Sequence, residues 1–136
     1  MNYKFYNELV QDAIFIREEV FVKEQGFQNE FDDIDHHCLH LVVYKDDKAI
    51  GCARMFEEHK KMTLGRIAVL KDYRKQNVGT YIMKQLEHKA KELGYSITAL
   101  SAQVRASDFY KNQGYVQSGE EYYDEYCPHI HMEKIL

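Results

Sequence analysis

The chain has 136 residues, of which 45% are hydrophobic and 29% charged, and its net charge is −4. This length fits one domain, residues 1–136, with its own core, and the composition argues against a disordered chain. The negative charge offers no basic face for nucleic acid, and no apolar run reaches the roughly 18 residues of a membrane helix.

The N-terminus and the cysteines predict the compartment. The first residues include Glu8 and Asp12 and lack the apolar core of a signal peptide. Cys38, Cys52 and Cys127 are odd in number and have no C-x-x-C spacing, which predicts free thiols in a reducing environment. We therefore expect a cytoplasmic protein, with no membrane or nucleic-acid partner.

The first elements predicted are a short strand over residues 3–6 and an amphipathic helix. Asn7 is the predicted N-cap of this helix, and Gly26 ends it. Its apolar positions are Leu9, Val10, Ala13, Ile14, Ile16, Val20 and Phe21. A polar, acidic loop follows through Asp35.

Three strands are predicted next, over residues 39–44, 49–56 and 61–70, joined by the short turns KDDK and EEHK. In the third strand the apolar alternation changes at Gly65–Arg66. Met62 and Leu64 share one parity, whereas Ile67 and Val69 share the other. One extra residue in a strand turns the following side chains to the opposite face, so this pattern predicts a β-bulge.

The second half begins with the clearest helix, which starts at Val78 and ends near Gly94. A buried strand over residues 95–102, a short helix over 104–112, and strands over 115–117 and 129–135 follow. A strand–helix–strand crossover joins parallel strands. The element order therefore predicts a mixed α/β (α+β) fold, with a central mixed sheet flanked by helices.

The loop before the long helix has two interpretations. Arg74 and Lys75 lead into a helix start, where unpaired N–H groups attract phosphate. Gly79 allows close approach of a ligand, and Asn77 tolerates left-handed backbone angles. The segment matches neither the P-loop nor the dinucleotide fingerprint. It is either an anion-binding loop or a solvated helix start.

Two motifs resemble those of the GNAT superfamily of acyl-CoA-dependent N-acetyltransferases. The first is RKQNVG, residues 74–79, where Asn77 replaces a glycine of the family pattern. The second is ASDFYKNQGY, residues 106–115. The segments REEVFVKEQGF, GCARM and PHIHM are similar to the ElaA/YjcF-like branch of that superfamily.

The resemblance implies a GNAT-like acyl-CoA N-acyltransferase fold and transfer of an acetyl group from acetyl-CoA to a primary amine. The acceptor would be a small molecule or a peptide, attacking directly in a ternary complex. Tyr110 would protonate the leaving thiolate, and a backbone N–H near Val69 would face the oxyanion. The implied contacts with acetyl-CoA are Ile67, Ala68, Val69, Arg74, Lys75, Gln76, Asn77, Val78, Gly79, Thr80, Gln103, Phe109 and Tyr110.

The acceptor amine must lose a proton, which a carboxylate or histidine usually accepts. The segment EFDDIDHHCLH offers Glu30, Asp32, Asp33, Asp35, His36, His37 and His40, among which we favour His40 and Glu30. Its histidines and cysteine do not match zinc-site spacings, so we predict no metal.

The C-terminal segment GEEYYDEYCPHIHM predicts either an acceptor pocket, lined by Tyr122, Tyr123, Tyr126 and carboxylates, or an exposed strand edge. An exposed edge would permit a homodimer. Two alternatives to the enzyme remain: a non-catalytic acyl-CoA-binding or sensing module, and a binding domain without coenzyme A.

Overall fold

The computed structural model describes residues 1–136 and contains seven strands and three α-helices. The strands are β1 (Asn2–Tyr6), β2 (Leu39–Lys45), β3 (Lys48–Glu58), β4 (Lys61–Val69), β5 (Ile97–Gln103), β6 (Val116–Asp124) and β7 (Cys127–Ile135). The helices are α1 (Gln11–Arg17), α2 (Val78–Glu92) and α3 (Ser107–Asn112). Helix α1 continues as a π-helix, Glu18–Glu24, and short 3-10 helices lie at Asp33–His36, Lys71–Tyr73 and Val104–Ala106.

All seven strands form one sheet, in the order β1-β2-β3-β4-β5-β7-β6. Only β4 and β5 are parallel, as the crossover through α2 predicts. Their pairing is limited to Met62–Thr98, Thr63–Ala99 and Leu64–Leu100, and beyond these pairs the two strands diverge. The predicted mixed α/β fold is confirmed.

The predicted bulge lies in β4, where the strands diverge. Arg54 pairs with Gly65 and Cys52 with Ala68, so two residues of β4 lie opposite one residue of β3. Arg66, inside the bulge, has a φ of 50°. Because a bulged strand bends, the second half of β4 turns away from β5. This opening separates two strands that would otherwise be hydrogen-bonded.

Helices cover both faces of the sheet. Leu41 and Val43 belong to a buried cluster that includes Ile82 and Leu86 of α2. Val42, between them, belongs to a second cluster with Ala13 and Ile16 of α1. Because successive residues of a strand point to opposite faces, α1 and α2 lie on opposite sides of the sheet.

Two predicted boundaries differ from the structure. Helix α1 begins at Gln11 with Val10 at the N-cap position and no capping side chain, so Asn7 is not the cap. The predicted strand over residues 115–117 extends to Asp124 as β6. All nine residues of β6 are exposed, so its sequence lacks the apolar alternation that would have revealed its length.

Strand β6 forms one edge of the sheet, and a homodimer through this edge stays a prediction. Cys38, Cys52 and Cys127 are unpaired and buried. No helix combines the length and the apolar character needed to cross a bilayer.

Candidate active site

A groove of about 440 Å³ runs beside the bulged half of β4 to the start of α2. Its walls contain all the predicted acetyl-CoA contacts except Gln76 and Gln103. Val20 of the π-helix, Gln25, Tyr73 and Ala106 complete the lining. The structure therefore brings the two sequence motifs, which are about 30 residues apart, to one groove.

The end of this groove at α2 is rich in free backbone donors. The N–H groups of residues 75–80 donate no hydrogen bond within the protein, because the first such bond of α2 runs from Tyr81 N to Asn77 O. Lys75 and Asn77 have φ angles of 63° and 64°. Asn77, which replaces a glycine of the family pattern, thus adopts the left-handed conformation that few other residues tolerate. Consecutive free N–H groups at a helix start form an anion-binding concavity.

Two side chains of the loop already have protein partners. Arg74 Nη1 and Nη2 donate to the carboxylate of Glu24 at 2.6 and 2.7 Å, and its Nε donates to Val69 O at 3.0 Å. The amide of Gln76 donates to Asp72 O, and Gln76 is not part of the groove lining. Of the two basic side chains, only Lys75 has no ion-pair partner.

A second cavity of about 180 Å³ lies on the other side of Tyr110. It shares Gln25, Ile67, Ala106 and Tyr110 with the groove, so the two spaces meet there. Its other lining residues are Phe21, Phe27, Asn29, Glu30, Leu64, Gly65, Arg66, Leu100, Ser101, Gln103, Asp124, Glu125 and His129. Three carboxylates and one arginine make its charged wall mainly acidic.

Tyr110 lies at the junction with its hydroxyl free. Burial raises the pKa of Tyr110 above its ordinary value, so the phenol stays protonated. The Oη of Tyr110 makes no hydrogen bond. Among the fully buried side-chain nitrogen and oxygen atoms, only Arg54 Nε lacks a hydrogen-bond partner, so Tyr110 Oη is not fully buried. The Tyr110 hydroxyl therefore keeps accessible surface, and a phenol in this position can donate a proton to a bound group.

Glu30 is the predicted base candidate that the structure places in the cavity. Its Oε2 lies 2.8 Å from Arg17 Nε and 2.9 Å from Arg66 Nε, whereas its Oε1 has no partner. Burial raises the pKa of the Glu30 carboxyl, and the charges of Arg66 and Arg17 oppose this shift. Glu30 can therefore face a ligand through one oxygen while the arginines fix the other.

His40, the other favoured base candidate, lies elsewhere. It is 1% exposed, its Nε2 lies 2.9 Å from Asp35 O, and it lines neither space. The reason is topological, because the cavity is lined by β4 and β5, and β3 separates β2 from both of them, whereas β7 is the direct neighbour of β5. The geometry therefore does not support His40 as the base.

Asp35, Cys38 and His40 do lie close enough together to bind a metal ion. However, both oxygens of Asp35 accept hydrogen bonds from Arg17, and Oδ1 also accepts one from Arg54. Two guanidinium charges oppose the binding of a cation there, and burial raises the pKa of the Cys38 thiol to about 11, which disfavours the thiolate ligand.

Gln103 lines the second cavity and not the groove, and its contact with the cofactor stays a prediction. Its amide donates to Gln25 Oε1 at 2.8 Å. The predicted tyrosines of the C-terminal segment surround this cavity without lining it. Tyr122 stacks on His129, Tyr126 packs on Phe27, and Tyr123 is exposed.

Sequence reasoning missed several lining residues, among them Phe21, Phe27, Asn29, Ser101 and His129. The carboxylate of Glu125 accepts hydrogen bonds from the backbone N–H groups of Gln28 and Asn29. These bonds hold the β6–β7 turn against the loop that contains Gln28 and Asn29. For Phe27 and His129 the sequence carries a signal, since they lie in the segments REEVFVKEQGF and PHIHM, which are similar to one branch of the superfamily.

Comparison with known proteins decides the family. The model of the acetyltransferase (GNAT) domain matches residues 7–136. The chain belongs to the GNAT family. This GNAT protein is 42% identical over 130 residues to the uncharacterized N-acetyltransferase YjcF of Bacillus subtilis, with 93% of each chain covered. The resemblance predicted from the two motifs is confirmed, and the protein is an N-acetyltransferase.

Solved structures agree with the fold of this GNAT protein. The crystal structure of Escherichia coli ElaA superposes with a TM-score of 0.85 at 25% identity, covering 98% of both chains. An acyl-CoA N-acyltransferase from Pseudomonas aeruginosa gives a TM-score of 0.87 at 23% identity, again covering 98% of both. The latter likeness concerns the fold alone.

Proposed function

We propose that this GNAT protein transfers an acetyl group from acetyl-CoA directly to a primary amine in a ternary complex. The observation that carries the proposal is the meeting of the groove and the acidic cavity at Tyr110. A donor in the groove and an acceptor in the cavity would have their reacting atoms adjacent to one hydroxyl. Holding two reactants in this way lowers the entropic cost of their encounter.

The groove residues suit the parts of acetyl-CoA. The free N–H groups of residues 75–80 would bind the pyrophosphate, with Lys75 adding positive charge. The main chain of Ile67, Ala68 and Val69 borders the gap between β4 and β5, where the pantetheine arm would pair as an added strand. An N–H near Val69 would then face the carbonyl oxygen.

The acceptor residues favour a cationic amine. Glu30, Asp124 and Glu125 attract an ammonium group, and Phe21 and Phe27 provide apolar contact for its carbon skeleton. In the reaction the amine nitrogen bonds to the acetyl carbon, the carbon–sulfur bond breaks, and Tyr110 donates its proton to the thiolate. The raised pKa of Tyr110 keeps that proton available at neutral pH.

The test is the effect of Gly79→Trp on the Kd for acetyl-CoA, measured by isothermal titration calorimetry. A Cβ at Gly79 would lie 3.1 Å from Phe109 Cζ, so an indole must occupy the loop end of the groove. We expect the wild type to bind and the Kd of the variant to rise by at least about 100-fold, the loss of roughly 2.7 kcal/mol.

Lys84→Trp is the matched control, because Lys84 is exposed on the same helix and lies outside the groove. We expect it to bind as the wild type does. A folded wild type that does not bind acetyl-CoA would refute the proposal, and binding that survives in Gly79→Trp would move the cofactor to another site.

Glu24→Gln should tighten the binding of acetyl-CoA by up to about fivefold. Arg74 must otherwise leave the Glu24 carboxylate to reach a phosphate, and an exposed ion pair is worth about 0.2–1 kcal/mol. Glu19→Gln, on the same π-helix and paired with Lys23, is the control for charge alone. Weaker binding by Glu24→Gln would show that Arg74 supports the groove wall without contacting phosphate.

A further inference from the structure

The acceptor cavity contains a histidine to which the sequence motifs assign no role. His129 lies on β7, paired with Gln103 of β5 and with Tyr122 of β6. Its side chain is 7% exposed and lines the cavity together with Glu30 and Tyr110. It therefore belongs to the space in which we place the amine.

One hydrogen bond fixes the tautomer of His129. Its Nδ1 lies 2.9 Å from Cys127 O. A carbonyl oxygen only accepts hydrogen bonds, so Nδ1 carries the proton, and in the neutral ring Nε2 has the free lone pair. Nε2 makes no hydrogen bond, and it is not among the fully buried unpartnered atoms, so it keeps accessible surface. That lone pair can accept a proton from a ligand.

The ring is held by aromatic neighbours. Tyr122 stacks on it with centroids 6.2 Å apart, and Phe27 meets it edge-on at 6.4 Å. The Tyr122 hydroxyl in turn bonds to Ser101 Oγ, so the stacking ring is fixed as well. A base with its orientation fixed in this way needs little reorganisation when it accepts a proton.

The charged and titratable groups facing the cavity come from several elements. They are Glu30, Arg66 of β4, Tyr110 of α3, and Asp124 and Glu125 at the β6–β7 turn. Arg66 is paired with Glu30, which reduces its repulsion of a second cation. The carboxylates favour an incoming ammonium group.

We propose that His129 Nε2 accepts the proton of the acceptor amine in the acetyl transfer proposed above, on which this inference rests. The bound ammonium first gives one proton to Nε2, which frees the lone pair that attacks the acetyl carbon. As the carbon–sulfur bond breaks, Tyr110 donates its proton to sulfur. The second proton of the nitrogen and the proton on Nε2 then pass to solvent, from which Tyr110 regains its own. Glu30, whose Oε2 is occupied by two arginines, attracts the ammonium group through Oε1.

The variant that tests the proposal is His129→Asn. The asparagine amide can still donate to Cys127 O, but nothing replaces Nε2. Initial rates are measured by thiol release from acetyl-CoA with tyramine, putrescine, glucosamine and glycylglycine, using whichever amine the wild type acetylates. General base catalysis contributes about 10²–10⁴-fold, so we expect kcat/KM to fall by that factor.

The pH profile separates a base from a structural residue. We expect the wild-type log kcat/KM to decline on the acidic side of the profile, and His129→Asn to lose that limb while keeping its Kd for acetyl-CoA. His131→Asn is the control, because His131 lies two residues along β7, bonds to Glu133 and lines neither space. Retention of the wild-type rate and acidic limb by His129→Asn would overturn the proposal.

Nitrogen-15 NMR of the imidazole tests the same assignment without turnover. We expect neutral His129 to carry its proton on Nδ1 and to leave Nε2 without one. A proton on Nε2 would overturn the inference whether or not any amine is acetylated. Failure of the wild type to bind acetyl-CoA would instead refute the proposed function, so the two failures are distinguishable.

Discussion

Replacing Tyr110 with Phe lowers kcat by about 10²–10⁴-fold and leaves the Kd for acetyl-CoA within about twofold of the wild type. The phenol hydroxyl makes no hydrogen bond within the protein, so its removal leaves no partner unsatisfied. Its expected role appears only when the thiolate leaves. Steady-state thiol release gives kcat, and calorimetry gives the Kd.

Tyr115→Phe is the control for the loss of a buried hydroxyl. Tyr115 packs against Tyr110 with ring centroids 6.2 Å apart, and its hydroxyl bonds to Thr98 and Glu87. We expect Tyr115→Phe to have a lower free energy of unfolding than the wild type and the same kcat. An unchanged kcat in Tyr110→Phe would remove the acid role. A wild type that binds acetyl-CoA and acetylates no amine would favour the non-catalytic binding module.

Replacing Asp35 with Asn lowers the free energy of unfolding by about 3–5 kcal/mol, a large share of the stability of a small domain. Asp35 is fully buried and accepts hydrogen bonds from Arg17, itself 1% exposed, and from Arg54. Removing the negative charge of Asp35 leaves the positive charges of two buried guanidinium groups less well balanced. Urea unfolding at pH 7 measures the difference.

The loss should depend on pH. Burial by itself would raise the pKa of Asp35, but hydrogen bonds from Arg17, the backbone N–H of Asp32 and Arg54 outweigh it and hold that pKa well below its usual range. A depressed folded-state pKa contributes stability that is complete above the unfolded-state pKa, about 3.9, and is lost as pH falls towards the folded-state value. We therefore expect the difference between the wild type and Asp35→Asn to stay constant from pH 5 to 8 and to shrink below about pH 4.

Asp33→Asn is the matched control, because Asp33 lies in the same 3-10 helix and is exposed. Exposed substitutions usually change stability by less than about 0.5 kcal/mol. A loss below about 1 kcal/mol for Asp35→Asn at pH 7, or one that grows in acid, would contradict the assigned role of the ion pairs.

The fold was largely predictable because its main signals are local. The periodicity of α2 and the parity change at Gly65 each lie within one element, and both agree with the structure. The predicted length of strand β6 is too short because neither face of this strand is buried, so its residues show no alternation of apolar and polar side chains. Period-two alternation reports burial on one face, and without burial it carries no signal.

The two parts of the candidate site also differ in how far the sequence predicts them. The proposed anion-binding end of the groove consists of consecutive residues, 75–80, and a short motif can encode it. The proposed acceptor cavity combines Phe21, Glu30, Ser101 and His129, which tertiary structure alone brings together. His40 and His129 both occupy strands, and only the strand order shows that His40 lies away from the cavity.

The divergence of β4 and β5 has a consequence for how this protein avoids aggregation. Unpaired strand edges invite pairing with other chains. After Leu64 and Leu100 the two strands leave a pair of such edges inside the molecule. Because these edges lie inside the molecule, they are shielded from a strand of another chain. In the binding mode that we propose, the pantetheine arm of acetyl-CoA would pair with them, so a feature that would be hazardous on the outside of the sheet would here serve to bind a slender ligand.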